Sequence, residues 1–461
     1  MRFVRQLLLG GLCLTLVATS PAVASPPQSA KPRLLFLVLD GIPIRVAAKV
    51  YEQGAFAGWS RPVPMVSTFP SMTNVAFTAM LARHQVEPIP GYEKRLFKPG
   101  PDGSLDGGAV KTRRQPYPWR ELFDISNKKV GGEAAAYLTP KSKTWRMISA
   151  VEKAVMESND DLVLAHLGPT DVLVHFRGDE PVEAFLLQLD QRLTDLQQRH
   201  LEKFGRPLRI VMLSDHGNTH EKVKTPKGLR ETLLRAGLDP AKKIKEANDV
   251  ITPTYGVVSY GALYLHPQNA ELAARAMAGH ESVNLAAWVS GEGEVRMVSR
   301  EGEAVVRWRE GAAGRELAYD AVEGDPLRMS TVVDNMTSAG VADRHGFATE
   351  EDWFENSVWA DFPDGPRRVV DSLTGKYVGN SATVMLSLEP DSAWGLGTAR
   401  FGAYVLGGHL EGTHGGLDRT STLGFYMAND TQVRPRVAIR AEDVLEGWLD
   451  EGESLSMVRI D

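Results

Sequence analysis

A single cysteine, Cys13, occurs in 461 residues. It lies inside an N-terminal stretch with the marks of a secretory signal. Arg2 and Arg5 come first, then an apolar run from Leu7 to Ala18, then the small-residue triplet Ala22-Val23-Ala24. The run is about a dozen residues, short of the ~20 that span a bilayer, so cleavage after Ala24 is expected rather than anchorage. Leu12, just before Cys13, is too bulky for a lipoprotein signal. Cleavage leaves a chain without a thiol, which excludes a disulfide framework, a cysteine-ligated metal and a cysteine nucleophile. A thiol-free exported protein suits an oxidising compartment, periplasmic or extracellular. Any metal must then be held by histidines and carboxylates.

Two further features are scarce. No second long apolar run follows the leader, so no stable membrane insertion is expected. Basic residues are also outnumbered: the 437 residues after Ala24 carry 50 Lys and Arg against 58 Asp and Glu, a net charge of −8. An acidic chain is poorly suited to bind nucleic acid or anionic membranes generically. A phosphate-handling site here would need a local positive field, which bound cations could supply. There is no internal repeat, no coiled-coil heptad and no G-x-S-x-G elbow, and the last absence argues against a serine hydrolase.

What is present is a recurring pattern. Leu34–Leu39 ends in Asp40-Gly41, Leu162–Leu167 leads to Gly168-Pro169-Thr170-Asp171, and Ile210–Ser214 ends in Asp215-His216-Gly217. Continuous apolar runs of this length suit strands buried on both faces, the mark of a largely parallel sheet covered by helices. Polar residues just past the carboxyl ends of such strands face the crevice where α/β proteins place ligands. Helical patterns over 72–81, 144–156 and 182–204 fall between the strands. Residues 25–32 read as a flexible lead-in and 98–118 as a surface loop. Residues 290–325 alternate polar and apolar side chains with glycine punctuation, which predicts short antiparallel strands in an inserted cap within about 280–345. Residues 404–407 and 423–427 read as a return to the core. The expected fold is therefore a three-layer α/β/α sandwich occupying 33–461.

Asp40, Asp171, His175, Asp215, His216 and His414 all sit at strand ends or in glycine-rich turns. Three carboxylates and three imidazoles make a ligand set suited to zinc or another divalent ion. Asp171 and His175, four apart, share one face of a helical turn. Thr68 stands where a helix is expected to begin, with Pro70 in its first turn. A hydroxyl there meets free backbone N–H groups and the positive end of the helix dipole, which together favour a phosphate.

In this order, the motifs VLDG (38–41), STFPS (67–71), TDVLVH (170–175), LSDHG (213–217) and GTHGG (412–416) resemble the alkaline phosphatase superfamily. The nucleotide pyrophosphatase/phosphodiesterase branch, in which a Thr-Phe-Pro carries the nucleophile, is most similar. The resemblance implies two divalent ions, zinc foremost. One would be held by Asp171, His175 and His414, the other by Asp40, Asp215, His216 and the Thr68 oxygen. It implies hydrolysis of a small-molecule phosphodiester or nucleotide pyrophosphate through a phosphothreonine on Thr68. The alternatives are a phosphomonoesterase or phosphotransferase on the same site, or a non-catalytic scaffold. No arginine follows in the C/S-x-P-x-R pattern of a sulfatase.

The branch also carries an asparagine about twenty residues after its nucleophile, and 82–94 contains none. Asn74, Phe69 and Tyr92 are the expected substrate contacts instead, with Lys141, Lys143 and Arg146 as a further set that would suit a monoester. His409 is a possible substitute ligand, ranked below His414. His84 and His166 read as structural.

Overall fold

The computed structural model describes residues 33–84, 86–101, 103–112, 117–127, 137–158, 160–395, 409–430 and 436–448. The expected leader, the lead-in and the core return at 404–407 lie outside the described residues.

The three apolar runs form the strands β1 (Arg33–Leu39), β5 (Leu162–Leu167) and β6 (Leu208–Leu213), with β1 in the middle and parallel to both. They belong to a six-stranded sheet ordered β17-β2-β16-β6-β1-β5. Its other members are β2 (Val63–Val66), β16 (Leu423–Ala428) and β17 (Ile439–Arg440). Only β16 runs against its neighbours. The fold is thus α/β with a mostly parallel central sheet, as expected.

Alternate residues of β1 serve the two faces. Leu35, Leu37 and Leu39 pack with three helices: α1 (Ile44–Glu52), α3 (Pro140–Glu157) and α5 (Glu180–Phe204). On α5 the stripe Leu186, Leu189, Leu193 and Leu196 is fully buried, each side chain contributing roughly 2 kcal/mol of apolar burial. That helix stops at Gly205, whose φ of +65° closes it in the left-handed conformation. Leu34, Phe36 and Val38 face the other way, against α2 (Thr73–Leu81). From Val75 to Leu81 every residue of α2 is buried, as befits a helix apolar on all sides.

The alternating segment forms strands longer than its sequence suggested: β10 (Val283–Gly291), β11 (Glu294–Ser299), β12 (Gly302–Gly311) and β13 (Gly314–Gly324). They extend into a seven-stranded antiparallel sheet, β14-β13-β12-β11-β10-β15-β9, completed by β9 (Tyr260–Leu263), β14 (Ala348–Thr349) and β15 (Val384–Leu388). One face of it joins the core beside α2; the other is covered by α6 (Ala270–Ala278). Part of the stretch expected as a surface loop is also ordered. The strands β3 (Arg95–Lys98) and β4 (Gly108–Lys111) pair as a hairpin whose Phe97 stacks on Tyr264 at 4.5 Å. A last two-stranded pair joins β7 (Asp239–Pro240) to β8 (Asp249–Val250). No helix among the described residues is long and apolar enough to cross a membrane.

α2 starts at Thr73, in keeping with the helical pattern over 72–81 and five residues beyond Thr68, where a helix start was also expected. Residues 68–72 form a turn instead. Thr68 donates its hydroxyl to the Pro70 carbonyl at 3.0 Å, Ser71 Oγ donates to the Thr68 carbonyl at 3.1 Å, and Met72 N–H donates to Pro70 O at 2.9 Å. The Phe69–Pro70 bond within it is cis.

Candidate active site

Register places the site. Leu39 pairs with Leu167 and Val38 with Leu213, so β1, β5 and β6 end level with one another. Asp40 is the residue after β1. Asp215 and His216 follow Ser214 at the end of β6. Asp171 lies in the first turn and His175 in the last turn of α4 (Pro169–Arg177), which begins just after β5. The glycine-rich loop carrying His414 enters at the same rim, because β16 runs antiparallel and Leu423 at its start pairs with Val66 at the end of β2.

All six sequence-derived ligands meet there. Donor atoms of Asp171, His175 and His414 lie within 4.8 Å of one another, and so do those of Asp40, Asp171 and His216. Asp171 is common to both groups. Its Oδ1 is 3.3 Å from His175 Nε2 and 3.8 Å from His414 Nε2. His216 Nε2 is 3.3 Å from Asp40 Oδ1 and 3.5 Å from Asp215 Oδ2. The rings of His216 and His414 stack with centroids 3.8 Å apart. Gly41 makes the sharing possible: a Cβ there would come within 2.4 Å of Asp171 Oδ1, and its φ is +70°.

Each imidazole is aimed by the main chain. Nδ1 of His175 faces the Gly412 carbonyl at 2.7 Å, that of His414 the Ser71 carbonyl at 2.7 Å, and that of His216 the Gly217 carbonyl at 2.8 Å. A carbonyl can only accept, so Nδ1 carries the hydrogen and Nε2 is left to face a ligand.

The donor set fits divalent cations. Asp171 Oδ1 and Asp215 Oδ2 are buried without a hydrogen-bond partner. Without cations, the charges are managed by protons. Burial works against the Asp40 carboxylate, but His166 and His216 outweigh it and hold Asp40 well below the usual carboxylate range. Burial and the neighbouring Asp40 push Asp215 up to about 7. His216 resists burial, and Asp215 and Asp40 raise it to about 10. Burial and the charge on His216 lower His414 to about 3. Buried carboxylates relying on protonated imidazoles are what a bound cation relieves.

Thr68 is not the hydroxyl that meets these groups. With its own hydroxyl on Pro70, Thr68 lines a small cavity beside Phe69, Asp364, Arg367, Arg368 and Glu442. Thr73 takes its place: Oγ1 donates to Asp40 Oδ1 at 3.2 Å and lies 3.4 Å from His216 Nε2. The turn at 68–72 moves the helix start, and with it the hydroxyl at the rim, five residues along. The sequence signal was available, since Thr73 heads the apolar run 75–81.

Three other expectations need correction. Tyr92 does not line a leaving-group pocket: it is a core side chain whose hydroxyl donates to the Ser372 carbonyl at 3.2 Å. Phe69 is likewise buried. His166 is more than structural. Its Nε2 is 2.8 Å from Asp40 Oδ2, and its ring sits among Phe77, Trp119 and Phe123, so it aims the carboxylate. Asn74 stands half-buried beside Thr73, its side-chain amide donating to the Tyr92 carbonyl at 3.4 Å. Lys141 and Arg146 are exposed. Lys143 is buried, its ammonium donating to the Asn127 carbonyl at 3.4 Å. His409 is exposed and belongs to neither ligand group. His84 is buried in a short 3-10 turn after α2.

No protein-family model and no curated protein matches the chain. Solved structures do. Human ectonucleotide pyrophosphatase/phosphodiesterase 5 is 12% identical over 89% of this chain and 92% of that one, with a TM-score of 0.46. The murine protein of the same name is 11% identical over 89% and 92%, with a TM-score of 0.43. An inactive murine form in complex with AMP is 11% identical over 90% and 92%, again with a TM-score of 0.43.

Proposed function

We propose that the chain is a metal-dependent hydrolase of phosphoric esters, of the phosphodiester or nucleotide pyrophosphate type, with Thr73 as its nucleophile. The observation that carries this reading is the Thr73 hydroxyl between Asp40 Oδ1 and His216 Nε2, beside two histidine–carboxylate groups that share Asp171. His175, His414 and Asp171 would hold one divalent cation; Asp40, His216, Asp171 and Asp215 would hold the other, with zinc the first candidate by ligand type. When bound, the pair supplies Lewis acidity that ionises a hydroxyl and neutralises phosphoryl oxygens.

The chain's own groups do the rest. Asp40 holds the Thr73 hydroxyl at the start of α2, where backbone N–H groups and the helix dipole favour a phosphoryl oxygen. Thr73 Oγ1 gives up its proton to solvent and forms a bond to phosphorus as the bond to the leaving oxygen breaks, and the departing alkoxide takes a proton from solvent. Water then attacks the phosphothreonine, restoring the hydroxyl and releasing the phosphoryl group. Export, with removal of residues 1–24, is part of the same proposal.

The test compares Thr73→Ala with Thr68→Ala on bis-4-nitrophenyl phosphate, 4-nitrophenyl phosphate and a nucleotide, before and after chelation and zinc restoration. Thr73→Ala is expected to lose at least about a thousandfold in kcat, and Thr68→Ala less than about tenfold. Chelation is expected to abolish all turnover. The reverse ranking of the two variants, or activity indifferent to chelation, overturns the assignment.

A further inference from the structure

We infer that Arg368 is a positioning residue that laces the turn before Thr73 to the loop carrying His414, and thereby sets the cation affinity of the Asp171–His175–His414 group. The inference rests on the metal-site reading above.

Arg368 lies on α7 (Gly365–Leu373), a helix buried along its whole length. It forms no ion pair among the described residues. Instead its guanidinium spans two loops. Nη1 donates to the Pro363 and Leu417 carbonyls, each at 3.1 Å, while Nη2 donates to the Thr68 carbonyl at 2.9 Å and to Ser71 Oγ at 3.2 Å. Nε is buried with no partner. Keeping this charge inside the protein is costly: burial brings the guanidinium down to about 9. Arg367, its neighbour, is the ordinary case, paired with Glu350 at 2.9 Å and with Glu442.

Ser71 completes the lace. Its N–H donates to Gly415 O at 3.3 Å, its hydroxyl reaches the Gly416 carbonyl at 3.0 Å, and its own carbonyl receives His414 Nδ1–H. Arg368 and Ser71 together therefore fix the 68–71 turn against 414–417. The direction of His414 Nε2 and the start of α2 two residues beyond Ser71 follow from one set of bonds. A planar five-donor fork can hold four oxygens at once; a lysine ammonium cannot reproduce that span.

The experiment is cation titration of the metal-stripped full chain against a fluorescent zinc chelator, run with kcat and KM on bis-4-nitrophenyl phosphate. Arg368→Lys is expected to bind one of two zinc equivalents about 10- to 100-fold more weakly, the other within about threefold of wild type. kcat is expected to fall and KM to hold. Ser71→Ala keeps the carbonyl that aims His414 but removes the hydroxyl, and is expected to show the same selective loss at about three- to tenfold; it serves if Arg368→Lys does not fold. Arg367→Lys is the control, expected to lower the melting temperature with both affinities intact. Wild-type zinc affinities in Arg368→Lys and Ser71→Ala, equal weakening of both equivalents, or the same selective loss in Arg367→Lys each overturn the inference. A wild-type chain that binds no zinc overturns the metal-site reading itself, a separate result.

Discussion

Glu93 gives a pH-dependent prediction outside the site. It is 6% exposed, and Oε1 accepts from the Tyr260 hydroxyl at 3.0 Å while Oε2 accepts from Gly256 N–H. Burial nevertheless raises its carboxyl from 4.5 to about 7. A folded value above the unfolded one means that the native state holds the proton longer. Stability is then full below about 4.5, is lost as pH rises to about 7, and stays level beyond. A gap of about 2.5 units corresponds to about 3 kcal/mol. In Glu93→Gln the amide oxygen can accept from Gly256 and the amide nitrogen can donate to the Tyr260 oxygen, so the site is kept and the ionisation removed. Reversible denaturant unfolding of both proteins at pH 5, 6, 7 and 8 isolates the effect, since other titrations cancel in the difference. Glu93→Gln is expected to gain on wild type steadily from pH 5 to 7, by about 1–3 kcal/mol in total, and no further to pH 8. A difference independent of pH refutes the assignment of that proton.

Two shorter predictions concern the rim. Gly41→Ala would drive a methyl into Asp171 Oδ1 at a positive φ, so zinc uptake at both positions is expected to weaken by at least about tenfold, measured by the same chelator competition. His166→Leu leaves Asp40 Oδ2 without its partner; it is expected to cost about 10- to 100-fold in kcat with KM little changed, and an unchanged kcat would show that the ring merely fills space.

The strands β1, β5 and β6 were legible because each is an unbroken apolar run ending in a polar turn, and a run of that kind has few other places to go. Asp40, Asp215 and His216 followed from the same ends, Asp171 and His175 from the helical spacing just after β5, and His414 from its glycine-rich motif. Thr73 heads the apolar run 75–81, but Ser67-Thr68-Phe69-Pro70 just before it also carries the residues of a helix start and masks that signal. What defeats that start is the set of side-chain and main-chain bonds among Thr68, Pro70 and Ser71, together with Arg368 some 300 positions away. His166 hid for a related reason: it sits inside an apolar run, and only the aromatic rings around it and its reach to Asp40 reveal a role. The double use of Asp171 depends on how closely Gly41 approaches it, a tertiary distance with no sequence spacing to announce it. The second sheet was underestimated because β9 and β15, one before and one after the glycine-punctuated segment in the chain, add two strands beyond β10.

The three imidazoles lean on carbonyl oxygens of the chain itself. Their headings are therefore set by the route of the backbone and not by the identity of any neighbouring side chain. An engineer could shuffle the residues lining this rim to change which molecule it accepts while leaving the rings pointed as they are. A one-residue insertion before Gly412, or a displaced turn at Ser71, would swing a ring away even with every ligand still in place.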